Sequence, residues 1–160
     1  MSASEEHEFL LQRVQPAMVG LIDGSLSTLA PIFSVAIVSH KPFYAFVAGL
    51  ATSIGAGISM AFSEGLSDTG ELTGRGNPFV RGGITGVGTF IGGILHSLPF
   101  LIPTYHAALV TALAVVGFEL IALAWLRARF FSSGFATSLA AVSLAGGVIV
   151  AVSVALGAAV

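Results

Sequence analysis

The sequence is short of charge. Asp, Glu, Lys and Arg together make up 9% of its 160 residues, against about 25% in a soluble domain, so the chain lacks the polar surface that would cover it in water. It has no cysteine, which excludes disulfides, thiolate metal sites, iron–sulfur clusters and cysteine nucleophiles together. It has no excess of positive charge either: the net is -2 and the isoelectric point about 6.0, so no nucleic-acid partner is expected. No nucleophile, triad or haem-ligand pattern stands behind an enzyme. What is present is apolar: 55% of residues are hydrophobic and mean hydropathy is +0.96. The expected surrounding is a lipid bilayer.

The few charges act as a ruler. None falls in residues 42–63, 82–118 or 130–160, and only Asp23 interrupts 14–40. A spanning helix needs about 20 mostly apolar residues. The stretch from 82 onward is too long for one span, and Pro99, Pro103, Tyr105 and His106 mark a turn within it. The chain is therefore expected to be an all-α membrane protein, a five-transmembrane-helix bundle with spans near 18–38, 43–63, 82–102, 107–126 and 135–160. Lys and Arg set the orientation. With the N-terminus cytoplasmic and the C-terminus outside, Arg13, Arg75, Arg81, Arg127 and Arg129 lie inside and only Lys41 outside.

Residues 1–15 form an expected short surface helix ahead of a membrane domain covering 16–160. Ser2 and Glu5 fit a capping box, and Phe9, Leu10, Leu11 and Val14 supply an apolar side. The run Glu5-Glu6-His7-Glu8 is read as a solvated helix start whose acids complement the dipole, not as a metal site.

Polar residues inside the apolar spans carry the functional reading. An acid at mid-span costs about 2.5–3.5 kcal/mol on insertion scales. Asp23 lies early in span one, roughly 8 Å from its cytoplasmic end at 1.5 Å per residue. Span two returns inward and places Met60 and Glu64 in its inner part. Span four also runs inward, with Glu119 at a similar level. Three carboxylates and a thioether thus form an expected cation layer in the inner half. If span two continues past the membrane, Met60, Glu64, Asp68 and Glu71 share one helical face, an acidic strip leading in from the cytosol. The alternative is a solvated loop, with Gly65 and Gly70 ending the helix. For Asp23 the alternative is a protonated carboxyl, bonded to a neighbouring helix through Ser25, Ser27 or Thr28. For Glu119 it is neutralisation by Arg127 or Arg129, and His96 is read as a packing or interfacial residue. Oxygen donors with one thioether and no cysteine favour Fe²⁺ or Mn²⁺ over a structural zinc. Protonation of the same acids would compete with the metal. The metal is a transported substrate here, and no cofactor is expected.

Small residues mark where helices meet. Gly20-x-x-x-Gly24-x-x-x-Thr28, Gly49-x-x-x-Ser53-x-x-x-Gly57, Gly82-x-x-x-Gly86 and Gly88-x-x-x-Gly92 allow close backbone approach. They predict a tight bundle that is able to self-associate.

Two segments carry a family resemblance. Gly20-Leu21-Ile22-Asp23-Gly24-Ser25-Leu26-Ser27-Thr28 resembles the Asp-Gly-x-x-Ser opening of the vacuolar iron transporter family. Gly55-Ala56-Gly57-Ile58-Ser59-Met60-Ala61-Phe62-Ser63-Glu64 is similar to the family signature ending Ser-Met-Ala-x-Gly-Glu, with Ser63 in place of its glycine. A closer likeness is to the membrane half of the membrane-bound ferritin proteins, carried by Arg13–Pro16, Leu66–Asp68 and Leu72–Gly76. The resemblance implies proton-driven export of Fe²⁺ or Mn²⁺ from the cytosol, by a homodimer whose first spans line the path. It implies a bacterial cytoplasmic membrane, and transport roles for Asp23, Met60 and Glu64. Only residues 65–81 stand where eukaryotic members carry a Glu- and Met-rich cytoplasmic domain, and a ferritin-like domain ahead of the bundle is not expected. Metal is therefore expected either directly from the cytosol or from a separate iron-storage or delivery protein. Two other functions fit a small carboxylate-bearing bundle. One is a proton-coupled exporter of organic cations, which would want aromatic walls where the chain has Tyr44, Tyr105 and Trp125 near span ends. The other is a non-transporting assembly subunit.

Overall fold

The computed structural model describes residues 2–159 and is all-helical, with no strand among the described residues. Ser2 caps the first helix, α1 (Ala3–Phe9): its side chain accepts the Glu5 N–H, and the Glu5 carboxylate accepts the Ser2 N–H at 2.6 Å. A π-helical turn, Leu10–Val14, carries the chain without a break into α2 (Gln15–Ser27). The segment 3–15, expected as a short surface helix, runs on into α2 within a helix of Ala3–Ser39, and its residues 3–9 are exposed. The apolar side foreseen there explains the fusion, since Val14 packs with Met18 and Leu123 in one buried cluster.

That long helix is interrupted once, at Thr28, where α2 gives way to α3 (Leu29–Ser39). Pro31 is the cause. It has no N–H to offer the Ser27 carbonyl, and its ring crowds that carbonyl four residues back. The Thr28 N–H turns to the Leu26 carbonyl instead. α3 ends on His40, whose φ of 51° is left-handed, and α4 (Pro42–Gly65) starts two residues later with proline in its first turn.

The fifth helix, α5 (Pro78–Leu95), opens on Asn77, whose side chain accepts the N–H groups of Phe79 and Val80. It stops well before the expected end near 102. Pro99 stands to Leu95 as Pro31 stands to Ser27, and removes the bond that would carry the helix on. A 3₁₀ turn, Leu98–Leu101, then leads to α6 (Tyr105–Phe130) and α7 (Phe135–Ala158). Four helices, Ala3–Ser39, Pro42–Gly65, Tyr105–Phe130 and Phe135–Ala158, are long and apolar enough to cross a bilayer. Large apolar side chains such as Phe62, Val110, Phe118 and Leu144 point outward. This is the architecture of a membrane-embedded protein.

Glycines decide the packing around α5. A Cβ on Gly20 or Gly24 would run into the Thr85 and Thr89 carbonyls, and one on Gly88 or Gly92 into Ala17, Leu21 and Ser25, so this side of α5 lies directly on α2. Gly82 and Gly86 face Ala61 and Gly57, while Gly93 and Ser97 face Ser53 and Gly49, so its other side lies on α4. The four small-residue motifs are thus taken up by contacts within one chain. A separate apolar core joins α3, α4 and α6 through Leu29, Ile32, Phe33, Ala45, Phe100, Ala108 and Ala112, with Phe33 edge-on to Phe100 at 6.1 Å.

The bundle has two distinct ends. Gln12 donates to the Gly74 carbonyl, and Gln15 and Met18 share a cleft with Arg127, Phe131 and Ser133. That end gathers Arg13, Arg75, Arg81, Arg127 and Arg129. At the other end His40 stacks on Tyr105 at 4.9 Å and the Lys41 ammonium lies over the Tyr44 ring.

Candidate functional site

The acidic strip does not form. α4 ends at Gly65, so Asp68 and Glu71 leave the helical face they would have shared with Met60 and Glu64. The segment 66–77 folds instead around Arg81, whose side chain is only 1% exposed. Arg81 Nε donates to Glu64 Oε1 at 2.9 Å, and its Nη1 to Asp68 Oδ1 at 3.3 Å. Arg75 joins Glu64 Oε1 at 2.6 Å and Asp68 Oδ2 at 3.1 Å. Two arginines thus neutralise two acids in a clasp between the end of α4 and the start of α5. Three glycines with positive φ, Gly70, Gly74 and Gly76, let the loop turn tightly enough to do so. Partial burial raises the Asp68 pKa, but this is outweighed by the Gly70 N–H, the Thr73 hydroxyl and the two guanidiniums, which hold the carboxyl below its ordinary range. Glu71 is exposed and outside the clasp.

Asp23 is half-buried on α2, one position round from the glycine seam. It has no hydrogen bond or ion pair among the described residues, so the bonded alternative through Ser25, Ser27 or Thr28 is not realised. α5 serves as a scale for its depth. Gly24, beside Asp23, faces Thr89 and Gly93; Ala61, beside Met60, faces Gly82 and Gly86. Along the α5 axis the levels of Asp23 and Met60 therefore lie within about two helical turns of each other, one on its α2 side and one on its α4 side.

Glu119 has a partner other than Arg127 or Arg129. Its Oε2 lies 2.9 Å from His96 Nδ1, and His96 Nε2 lies 2.8 Å from Thr28 Oγ1. Thr28 in turn donates to the Gly24 carbonyl at 2.7 Å. Thr28 and His96 are fully buried and Glu119 nearly so. Among the described residues no three His, Cys, Asp or Glu side chains gather closely enough to hold a metal ion. The expected layer of Asp23, Met60, Glu64 and Glu119 is accordingly divided within one chain: Glu64 belongs to the clasp, Glu119 to His96, and Asp23 with Met60 to the α2/α4 sides of α5.

Sequence reasoning missed Arg75 and Arg81 as clasp residues and the bond from His96 to Glu119. A signal for the place of His96, though not for its bond to Glu119, was present. Pro31 and Pro99 each end a helix four residues upstream, and the next residue in each case is polar: Thr28 and His96. Compared with protein-family models, curated proteins and solved structures, the chain matches none.

Proposed function

We propose that the chain is a five-span membrane transporter that moves a divalent metal ion, Fe²⁺ or Mn²⁺, out of the cytosol in exchange for protons. The observation that carries this reading is Asp23, a carboxyl group in an apolar helix with no hydrogen-bond or ion-pair partner among the described residues. A partnerless acid at membrane depth costs about 2.5–3.5 kcal/mol, and a passing cation is the partner that makes such a cost useful. Met60, within about two helical turns of that level along α5, adds a sulfur donor that biases the site from calcium and magnesium towards Fe²⁺ or Mn²⁺. One carboxylate and one thioether are too few for a metal ion. A second copy across a two-fold axis beside α2 would double them, so the reading includes a homodimer. Metal binds the ionised acid and a proton displaces it, which couples the two fluxes.

In this reading α5 makes the fifth crossing, completed by the 3₁₀ turn Leu98–Leu101. The end that gathers the arginines faces the cytosol, and the C-terminus lies outside. The expected membrane is the bacterial cytoplasmic membrane. Glu64 and Asp68 serve as the clasp and Glu119 serves His96, so the proposed ligands are Asp23 and Met60 alone.

The test is metal accumulation by inverted membrane vesicles with an acidified lumen, comparing wild type with Asp23→Asn and Met60→Ala. Each substitution is expected to lower Fe²⁺ accumulation by about tenfold or more, the equivalent of about 1.4 kcal/mol of lost binding. Equal accumulation by all three proteins would remove the site. Tetraethylammonium moved better than Fe²⁺ would favour organic-cation export, and a wild type that moves neither would leave an assembly subunit.

A further inference from the structure

We propose that Thr28, His96 and Glu119 form a proton-binding site in the middle of the bundle, separate from Asp23, which takes up and releases one proton. The site itself stands on geometry; its part in transport rests on the function proposed above.

The first argument is placement. Two interrupted helices meet at one hydrogen bond. α2 ends at Ser27 and α5 at Leu95, and the residues that follow, Thr28 and His96, are bonded at 2.8 Å. Irregular backbone at membrane depth is tolerated only where it is buried in protein or lines a cavity, and interrupted helices in transporters mark where substrates and coupling ions sit. The level is central: Thr28 and Ser53 both lie against Gly93, and Ser53 is near the middle of α4.

The second argument is a proton count. A carbonyl only accepts, so the Thr28 hydroxyl spends its single hydrogen on Gly24. Its oxygen can then only accept from His96, and Nε2 carries a hydrogen. Nδ1 faces Glu119 Oε2 at 2.9 Å, a distance that needs one further proton between a ring nitrogen and a carboxylate oxygen. Whether that proton sits on nitrogen or oxygen, the cluster is electrically neutral. Loss of one proton has one well-bonded outcome. The remaining ring proton occupies Nδ1 and faces the carboxylate, the Thr28 hydroxyl turns from Gly24 to the bare Nε2, and the cluster carries one negative charge. The departing proton passes to water. Glu119 Oε1 is buried with no hydrogen-bond partner among the described residues, and leaves an acceptor position in the cluster free for a proton. Turning Thr28 also releases the Gly24 carbonyl at the α2/α3 break, so the proton count and the join between Asp23's helix and α3 are linked.

Other ionisable groups stand apart. α3 and α7 carry none, and α4 has none between Tyr44 and Glu64. α5 has only Arg81, committed to the clasp. α2 offers Asp23, which is not within a metal-holding group with His96 and Glu119. On α6 the nearest are Arg127 and Arg129, exposed beyond two turns away, and at its start Tyr105 and His106.

The test is ¹⁵N-histidine solid-state NMR of the full chain in lipid, with pH varied. His96 is assigned among the four histidines by its loss in His96→Gln. Wild type is expected to show Nε2 protonated at low pH and bare at high pH, with Nδ1 keeping its hydrogen. The nearly isosteric Glu119→Gln, whose amide donates to Nδ1, is expected to hold Nε2 protonated throughout. A wild-type Nε2 signal that does not change with pH would overturn the site, as would a switch that persists in Glu119→Gln. In proteoliposomes, Glu119→Gln should lose at least about tenfold of the pH-driven metal accumulation, about 1.4 kcal/mol in driving terms. Wild-type accumulation in that variant would overturn the coupling role. A wild type that carries no metal would instead sink the proposed function, leaving the NMR titration to decide the proton site.

Discussion

Gly24 and Gly55 are the same residue in the same kind of helix, and differ in what stands opposite. A Cβ on Gly24 would meet the Thr89 carbonyl and the Gly93 backbone, whereas one on Gly55 would meet nothing within 4 Å. Backbone cannot swing aside as a side-chain tip can, so Gly24→Ala must push α2 from α5. Overpacking of that kind costs about 1–3 kcal/mol. Gly55→Ala gains only the helical preference of alanine, about 0.5–1 kcal/mol. Thermal unfolding in detergent should therefore separate the two variants in opposite directions; a loss of similar size in both would mean that the α2–α5 seam is not tight. The sequence motifs pointed to Gly24 as a contact, and that much was legible. Its partner was not, because the motif gives a helix a smooth face without naming the helix that meets it. The same holds for His96 and Glu119. They lie 23 positions apart, and His96 lies 68 from Thr28, so nothing local ties them together until the helices are packed.

At the scale of elements, prolines and glycines explain both what could be read and what could not. Apolar runs gave α4, α6 and α7 close to their observed limits, since a bilayer-length run has few other ways to satisfy its backbone. The breaks in α2/α3 and at the end of α5 were less clear, because a proline's effect falls four residues upstream of where it stands. Between α4 and α5 the sequence admits either a continued helix or a turn. The structure resolves it through Arg81, whose burial draws Glu64 and Asp68 onto one guanidinium. Removing a buried partner leaves its counter-charges stranded, so Arg81→Met should destabilise the protein by about 3 kcal/mol. Asp68 gives the clasp a pH signature. Its folded-state pKa is lowered, so its contribution is present above the unfolded value of 3.8 and is lost as pH falls through the folded value. Asp68→Asn should therefore unfold at lower temperature than wild type at neutral pH, and the two curves should converge only in strong acid. A difference that persists there would assign the effect to something other than the carboxylate's charge.

At the scale of the whole molecule, the two ends differ enough to make orientation a direct measurement. Arg13, Arg75, Arg81, Arg127 and Arg129 fall at one end, while Lys41 stands at the other with His40, Tyr44 and Tyr105. The last residues of α7 belong to the Lys41 end, since Gly157 lies against Ile37 and the Ser34 hydroxyl donates to the Ser153 carbonyl. Lys and Arg are enriched on the cytosolic side of a bilayer, so the proposed topology has the arginine end inward and Ala159 outward. Because the chain has no cysteine, single cysteines report without background. Thr73→Cys lies in the exposed clasp loop and Ala159→Cys at the exposed end of α7. In intact cells a membrane-impermeant maleimide should label Ala159→Cys and leave Thr73→Cys unlabelled, and inverted vesicles should reverse the pattern. If both react from one side, α5 does not complete a crossing, because an even number of passes would return both positions to the same face. If the pattern is the opposite in cells, the clasp and the start of α2 face outward, and the proposed export of metal becomes import.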